Sequence, residues 1–334
     1  MITKKERIEL FSRLPNILNT SNAALHQAID QTYQLNSWLT PENYWHCIEH
    51  WNSTLTSDKL IDFLDNYDVS SSPKNVGIIM AGNIPMVGFH DLLCVCLIGH
   101  NAFVKLSSDD NRVIPFIIHE LISMDDRIAQ QIVIKDKIQS IDAVIATGSN
   151  NSFRYFENYF QHIPRLLRKN RKSMAILDGS ETQKDLAELS KDILMYYGLG
   201  CRNVSLIFLP KQTNINKLLD EMSSFKDIIN HNKYANNYTY HKALLLMNNE
   251  QHLDTGFLLP KNRRDLFAPL ACINYAYYES IDELDTFVFK NKDDIQCIVG
   301  NYSSTNTISF GKAQTPDLKQ FADDINTLEF LSTL

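Results

Sequence analysis

The residues best placed for covalent chemistry are Gly198-Leu199-Gly200-Cys201-Arg202. The glycines let the chain leave a helix in a turn. The thiol then stands just before an apolar strand, flanked by small residues that allow a substrate to approach. Arg202 could favour the thiolate, the reactive form of the side chain. The same residues also fit an ordinary core cysteine after a helix cap. In Ile145-Ala146-Thr147-Gly148-Ser149-Asn150 a strand runs through a glycine-serine turn into a helix. The first N–H groups and the dipole of such a helix suit an anion, for example a cofactor phosphate. The segment is not a G-x-G-x-x-G fingerprint, so a plain turn with a serine cap is the other reading.

Two more segments carry a polar group where a strand ends. Ala81-Gly82-Asn83-Ile84-Pro85 follows an apolar strand directly. Asn83 could aim its amide N–H into a cleft at the strand's carboxyl end and stabilise an oxyanion there; a plain turn is the alternative. In Phe103-Val104-Lys105-Leu106-Ser107-Ser108, Lys105 closes a buried strand. That position suggests a ligand, or a lysine whose stem lets its charge reach the surface.

Positioning these groups takes a regular frame, and the pattern of the chain supplies one. The first seventy residues read as helices, with Thr40-Pro41 as cap and first position of one that carries Trp45, Ile48 and Trp51 at helical spacing. Ser70 to Lys74 is a polar breaker. Strands are then expected at Val76–Met80, Ala102–Leu106, Ala143–Ala146 and Met174–Leu177, with helices near 86–98, 110–124, 151–160 and 181–197. Beyond Cys201 come strands at Val204–Leu209, Ala243–Met247, Pro269–Tyr275, Gln296–Val299 and Thr307–Phe310, and helices near 213–229 and from about Pro316. The Asn/Tyr-rich stretch Asn230 to Tyr240 reads as a surface loop. Alternation of this kind predicts an α/β fold with mainly parallel sheets. The expected division is a helical and nucleotide-binding Rossmann-type lobe over 1–195, a smaller α/β catalytic lobe over 196–310 carrying Cys201, and a C-terminal segment over 311–334 that returns to the first lobe.

A chain of 334 residues with 44% apolar and 21% charged content can bury a substantial core. Its net charge of −7 argues against a general nucleic-acid binder, which needs a basic surface. Ile84 to Gly99, the most apolar long stretch, is interrupted by His90 and Asp91 and is too short to span a bilayer. MITKKERIEL has charges without an apolar segment behind them, so no secretory signal is expected, and the six cysteines are expected as reduced thiols in the cytoplasm. His46 and His50 lie four apart but lack the H-E-x-x-H order and a third ligand, so no metal is expected. Cys94 and Cys96 read as packing residues in an apolar helix. Tyr196 and Tyr197 read as core, close enough to the thiol to line an acyl tunnel.

Taken in order, these segments resemble the aldehyde dehydrogenase superfamily. Asn83-Ile84-Pro85 resembles its Asn-Phe-Pro, Gly99 to Ser108 its Gly-Asn-x-x-x-x-Lys-Pro-Ser-Glu, Thr147-Gly148-Ser149 its Thr-Gly-Ser turn, and Gly200-Cys201 its catalytic cysteine. Asp265-Leu266-Phe267-Ala268-Pro269 resembles its Glu-x-Phe-Gly-Pro. Within the superfamily the chain looks most like the acyl-CoA reductases related to the fatty-acid reductase of bacterial luminescence operons. The carriers of that likeness are Gly-Leu-Gly-Cys-Arg-Asn at the thiol and the closing stretch Gly311 to Leu331.

The resemblance implies an aldehyde-dehydrogenase-like fold with Cys201 as nucleophile, and with Asn83 and the Cys201 N–H as oxyanion hole. Lys105, Ser107 and Ser108 would meet the cofactor's adenosine ribose or its phosphate, and Thr147, Gly148 and Ser149 its pyrophosphate. Asp265 and Phe267 would position the nicotinamide ribose and ring. Aldehyde-oxidising members carry Glu-Leu-Gly-Gly-Lys, whose glutamate activates water. Here Arg168-Lys169-Asn170-Arg171-Lys172 stands in its place. Lacking that base, a thioester on the enzyme should resist hydrolysis, which suits reduction of an acyl group received from a thiol. Ser108 replaces a glutamate that would repel a 2′-phosphate, which points to NADPH over NADH. The run Arg165 to Lys172 reads as a solvated basic face, or as a site for a phosphate of cofactor or CoA.

The implied activity is NADPH-dependent reduction of a fatty acyl thioester to an aldehyde. The acyl donor would be acyl-CoA, an acyl carrier protein or an acyl-transferring partner enzyme, and a homo-oligomer is compatible. The alternatives are an aldehyde dehydrogenase working oxidatively and a non-catalytic nucleotide-binding member.

Overall fold

The computed structural model describes residues 2–302 and 307–334. It divides into two compact units, one built from the chain up to Asn170 together with Asp317–Leu334, the other from Arg171–Pro316.

The first unit begins with four helices, α1 (Lys4–Ser12), α2 (Ala23–Leu35), α3 (Pro41–Thr54) and α4 (Ser57–Phe63). Thr40 caps α3 and Pro41 occupies its first turn, as the sequence predicts. There follow β1 (Asn75–Ile79), α5 (Phe89–Ile98), β2 (Asn101–Lys105), α6 (Val113–Met124), β3 (Ile132–Ile134), β4 (Ala143–Thr147), α7 (Asn150–Tyr159) and β5 (Arg165–Arg168). The strands form one parallel sheet in the order β3-β2-β1-β4-β5. From β1 the chain steps outward to β2 and β3, then returns to β1's other side at β4. The order therefore reverses between β1 and β4, the place where open α/β sheets bind ligands beyond their carboxyl ends. α5 is buried nearly all round and ends at Gly99, whose φ of 95° suits glycine.

The second unit holds β6 (Lys172–Ile176), α8 (Gln183–Leu194), β7 (Val204–Pro210), α9 (Asn216–Met222), α10 (Asn232–Met247), β8 (Leu259–Asn262), β9 (Cys272–Tyr278), α11 (Ile281–Asn291) and β10 (Ile295–Gly300). Its sheet is also parallel, in the order β10-β6-β7-β9-β8. Thr182 and Asp185 form a capping box that starts α8. Each face of this sheet buries its own apolar cluster, one around Leu189, Val204 and Ile273, the other around Met174, Phe208 and Leu284. The chain ends in the first unit with α12 (Thr327–Ser332), which packs on α5.

Several expectations need correction. Asn230 to Tyr240 is not a loop and Ala243–Met247 is not a strand; both belong to α10. Tyr234, Tyr238 and Leu245 are its buried residues, at helical spacing, and the Ala-Leu-Met run has helix formers rather than β-branched residues. Thr307–Phe310 contributes a single bridge at Ile308 rather than a strand. The last helix begins at Thr327, well after Pro316. Strands β3, β5 and β8 and helix α11 were not foreseen from the sequence. The compact units part between Asn170 and Arg171 rather than near 195, because β6 pairs with β7 and β10 and so belongs to the second sheet. Asp317–Leu334 groups with the first unit.

Candidate active site

The carboxyl edge of the first sheet collects the groups that the sequence marks for a nucleotide. Parallel register sets Ile79 beside Lys105 on one side and beside Ala146 on the other. The Asn83 loop, Lys105 and the Thr147-Gly148-Ser149 turn therefore leave neighbouring strands at the same edge, around the reversal between β1 and β4. Asn83 is exposed. Its loop is braced from below: buried Asp110 accepts from the Met86 N–H at 3.0 Å and from the Tyr44 hydroxyl, and Met86 has a φ of 56°. At Gly82 a Cβ would come within 2.5 Å of the Ser107 hydroxyl, so only glycine lets these two loops touch. Ser107 is half-buried and Ser108 exposed. Lys105 is half-buried at the end of β2, and among the described residues its ammonium has no hydrogen-bond or ion-pair partner. Ser149 caps α7 by accepting from the Ser152 N–H at 3.3 Å.

In the second unit, Cys201 sits on a left-handed elbow. α8 ends at Leu194, and Tyr196, Tyr197 and Gly198 follow with φ of 52°, 57° and 75° before the thiol is reached. For the two tyrosines this region costs of order 1–2 kcal/mol each, so something must hold them. Buried Asn203 does so. Its Oδ1 accepts from the Gly200 N–H at 2.8 Å, and its Nδ2 lies 3.2, 3.2 and 2.8 Å from the carbonyls of Asp192, Ile193 and Met195. Cys201 ends up half-exposed at the amino-terminal edge of the second sheet.

Three residues of neighbouring strands surround it. The Lys172 ammonium donates to the carbonyls of Gly198 at 3.1 Å and Gly200 at 3.4 Å. Burial lowers its pKa, and the charge of Cys201 raises it. Ser173 Oγ donates to the Cys201 carbonyl at 3.0 Å and lies 3.0 Å from Cys297 Sγ. Burial pushes the Cys297 thiol up to about 11, so it stays protonated at neutral pH. Asp192 accepts from the N–H groups of Gly311 and Ala313 at 2.7 and 3.0 Å, and burial raises it to about 6. Lys172, Ser173, Asn203 and Cys297 were not recognised from the sequence.

Asp265 and Phe267 lie at the same edge. Asp265 accepts from the Phe267 N–H at 3.0 Å and pairs with Arg263 at 3.2 Å. The loop is tied to β7 by Ser205 Oγ, which donates to the Leu266 carbonyl at 2.5 Å. The Phe267 ring is left 41% exposed. The basic run is a solvated face only in part: Arg165 is exposed. Arg168 is buried, pairs with Asp91 and donates to Thr327 Oγ1 at 2.9 Å. Tyr196 is buried, while the half-buried Tyr197 ring lies 4.5 Å from that of His231. Cys94 and Cys96 are fully buried, and burial raises both thiols. An open cleft along α2, lined by Thr20, His26 and Gln34 among others, contains none of the residues named for chemistry. Among the described residues no cluster of His, Cys, Asp or Glu forms a metal set, and no helix is long and apolar enough to cross a membrane.

Comparison with known proteins gives a family and a fold. The family model described as acyl-CoA reductase (LuxC) matches residues 9–251. No curated protein matches the chain. Among solved structures, indole-3-acetaldehyde dehydrogenase AldA of P. syringae, a cysteine-to-alanine mutant in complex with NAD+ and IAA, is similar at 12% identity and a TM-score of 0.65, over 91% of this chain and 72% of that one. The aldehyde dehydrogenase KauB of Pseudomonas aeruginosa gives 11% and 0.64, over 91% and 73%. AldC of Pseudomonas syringae, another such mutant, complexed with NAD+ and octanal, gives 11% and 0.64, over 90% and 73%. The fold is therefore that of the aldehyde dehydrogenases.

Proposed function

The chain belongs to the acyl-CoA reductase (LuxC) family, and we propose that it reduces a fatty acyl thioester to the aldehyde with NADPH, through a thioacyl intermediate on Cys201. Family and fold make it an oxidoreductase of aldehyde and acyl groups. The observation that carries the finer reading is the half-exposed Cys201 thiol on its strained elbow, with the Lys172 ammonium bound to the carbonyl of the preceding residue.

Cys201 as thiolate attacks the acyl carbonyl, and the donor thiol leaves with its electron pair and takes up a proton. The resemblance to aldehyde dehydrogenases assigns the role of oxyanion donor to Asn83 and to the Cys201 N–H. When bound, the nicotinamide supplies the hydride. Two of the three solved neighbours named above contain NAD+, which supports a nicotinamide dinucleotide here. The first sheet's edge has the chemistry for one: a Lys105 ammonium with no partner among the described residues for the adenosine ribose or its phosphate, with Ser107 and Ser108 beside it, and the start of α7 after Thr147, Gly148 and Ser149 for the pyrophosphate. Asp265 and Phe267 are assigned to the nicotinamide ribose and ring. Ser108 in place of a carboxylate favours NADPH over NADH.

Reduction rather than oxidation follows from Arg168. A guanidinium buried against Asp91 cannot act as the base that hydrolyses a thioester. The acyl donor is acyl-CoA, a carrier protein or an acyl-transferring partner, and six free thiols fit a cytoplasmic enzyme. The test is the absorbance of NADPH with purified protein and acyl-CoAs of short to long chain. Acyl-dependent loss of signal, absent in Cys201→Ala, is expected. If no acyl-CoA gives it, mass spectrometry for an acyl adduct on Cys201 after exposure to acyl carrier protein decides. Reductase activity retained in Cys201→Ala would sink the assignment.

A further inference from the structure

We propose that Lys172 is the positioning residue of the Cys201 thiolate, its ammonium fixing the carbonyls that lead into the nucleophile and supplying the positive charge that keeps the sulfur ionised. The inference rests on Cys201 being the nucleophile.

A lysine opening an interior strand normally finds a carboxylate or reaches water, because burying an unpaired ammonium is costly. Lys172 finds no carboxylate among the described residues. It is half-buried, and its hydrogen bonds go to two backbone carbonyls, Gly198 and Gly200. An ammonium has three N–H bonds, and the carbonyls take two. The charge of Cys201 acts on it and favours its protonated form. Ser173, the next residue of β6, donates to the Cys201 carbonyl. Two successive side chains of one strand thus grip residues 198, 200 and 201. The strand that positions the thiol also carries the charge.

Apart from Arg202, the other groups at this corner bring no positive charge. Cys297, from β10, is held neutral by burial. Asp192, from α8, is negative when ionised and is engaged by two backbone N–H groups; it cannot stabilise a thiolate. Arg202, which the sequence suggests for this role, also brings positive charge and acts on the Cys297 thiol. Ser173 is uncharged. An opposite charge within a few ångströms lowers a thiol's pKa by about one to three pH units. A half-exposed thiol would otherwise ionise near ~8.5 and be mostly protonated at neutral pH.

The experiment follows the rate of iodoacetamide alkylation of Cys201 against pH, read by mass spectrometry of the Cys201 peptide, in wild type, Lys172→Gln and Lys172→Arg. Wild type should show an inflection well below ~8.5. Lys172→Gln, which can still donate to a carbonyl but carries no charge, should move it up by about one to three pH units and slow alkylation at pH 7 about tenfold or more. Lys172→Arg should stay near wild type. An unchanged inflection in folded Lys172→Gln overturns the inference. So does a wild-type inflection at or above the free-thiol value, a measurement that needs no variant to fold. Failure to detect an acyl adduct on Cys201 would count against the reductase assignment and would leave the alkylation profile standing.

Discussion

Replacing Asn203 with alanine should both destabilise the second unit and slow the chemistry at Cys201, two residues away. Asn203 is 1% exposed. It accepts one hydrogen bond, from Gly200, and its two amide N–H bonds reach three carbonyls of the last turn of α8. Alanine removes one accepted and two donated bonds, each contributing about 1 kcal/mol net, and leaves the Gly200 N–H without its buried partner. The expected loss is about 3 kcal/mol. Part of it returns if Tyr196 and Tyr197 relax from their left-handed conformations, which cost of order 1–2 kcal/mol each. That relaxation moves the thiol, because the tyrosines and Gly198 set where Cys201 begins. Urea unfolding gives the stability, and the rate of Cys201 alkylation in buffer gives the geometry. Asn203→Asp should be no better, since its carboxylate keeps the bond from Gly200 but faces three carbonyls. A loss below about 1 kcal/mol with unchanged alkylation would refute Asn203 as the brace of the elbow.

Other consequences can be measured. Asp192 is raised from the ordinary 3.8 to about 6 by burial, so the folded state binds the proton more tightly than the unfolded chain. Stability from this group is therefore greatest at low pH and falls by about 3 kcal/mol as pH rises from about 4 to 6. Urea unfolding at pH 7 and pH 5 should show wild type gaining on Asp192→Asn as pH falls. Arg168→Met strands a buried Asp91 carboxylate and should lose about 3–5 kcal/mol, whereas the double change Asp91→Leu with Arg168→Met should recover much of it; equal losses in single and double variants would argue against the pair. Ser108→Glu should shift the ratio of kcat/KM for NADPH over NADH toward NADH by about tenfold or more, a like-charge repulsion of roughly 1.4 kcal/mol being tenfold, and an unchanged ratio would remove Ser108 from the cofactor site.

Much of this protein is written locally. Glycines before Cys201, the serine at the start of α7, the Thr40-Pro41 helix start and the apolar runs of β1, β4 and β7 are all decided by a few adjacent residues, so composition and period reveal them. The helix α10 was missed because its asparagines and tyrosines look like a loop; it was stabilised instead by burying Tyr234, Tyr238 and Leu245, a tertiary choice that overrides local propensity. The strand β5 was hidden for a similar reason: its arginines suggest a solvated run until Asp91, on α5, is found against Arg168.

The surroundings of the thiol were decided only by the fold. Sequence alone determined that Cys201 follows a helix end and precedes a strand. It could not show that parallel pairing of β6 with β7 and β10 brings Lys172, Ser173 and Cys297 around it, since Ser173 lies 28 residues before Cys201 and 124 residues before Cys297. Nor could it show the three left-handed residues that aim the thiol, because tyrosine rarely adopts that conformation unless a buried group such as Asn203 imposes it. Reactive residue types are a property of sequence. Their charge environment depends on which strands pair, and pairing is settled by the burial of whole faces rather than by neighbours along the chain.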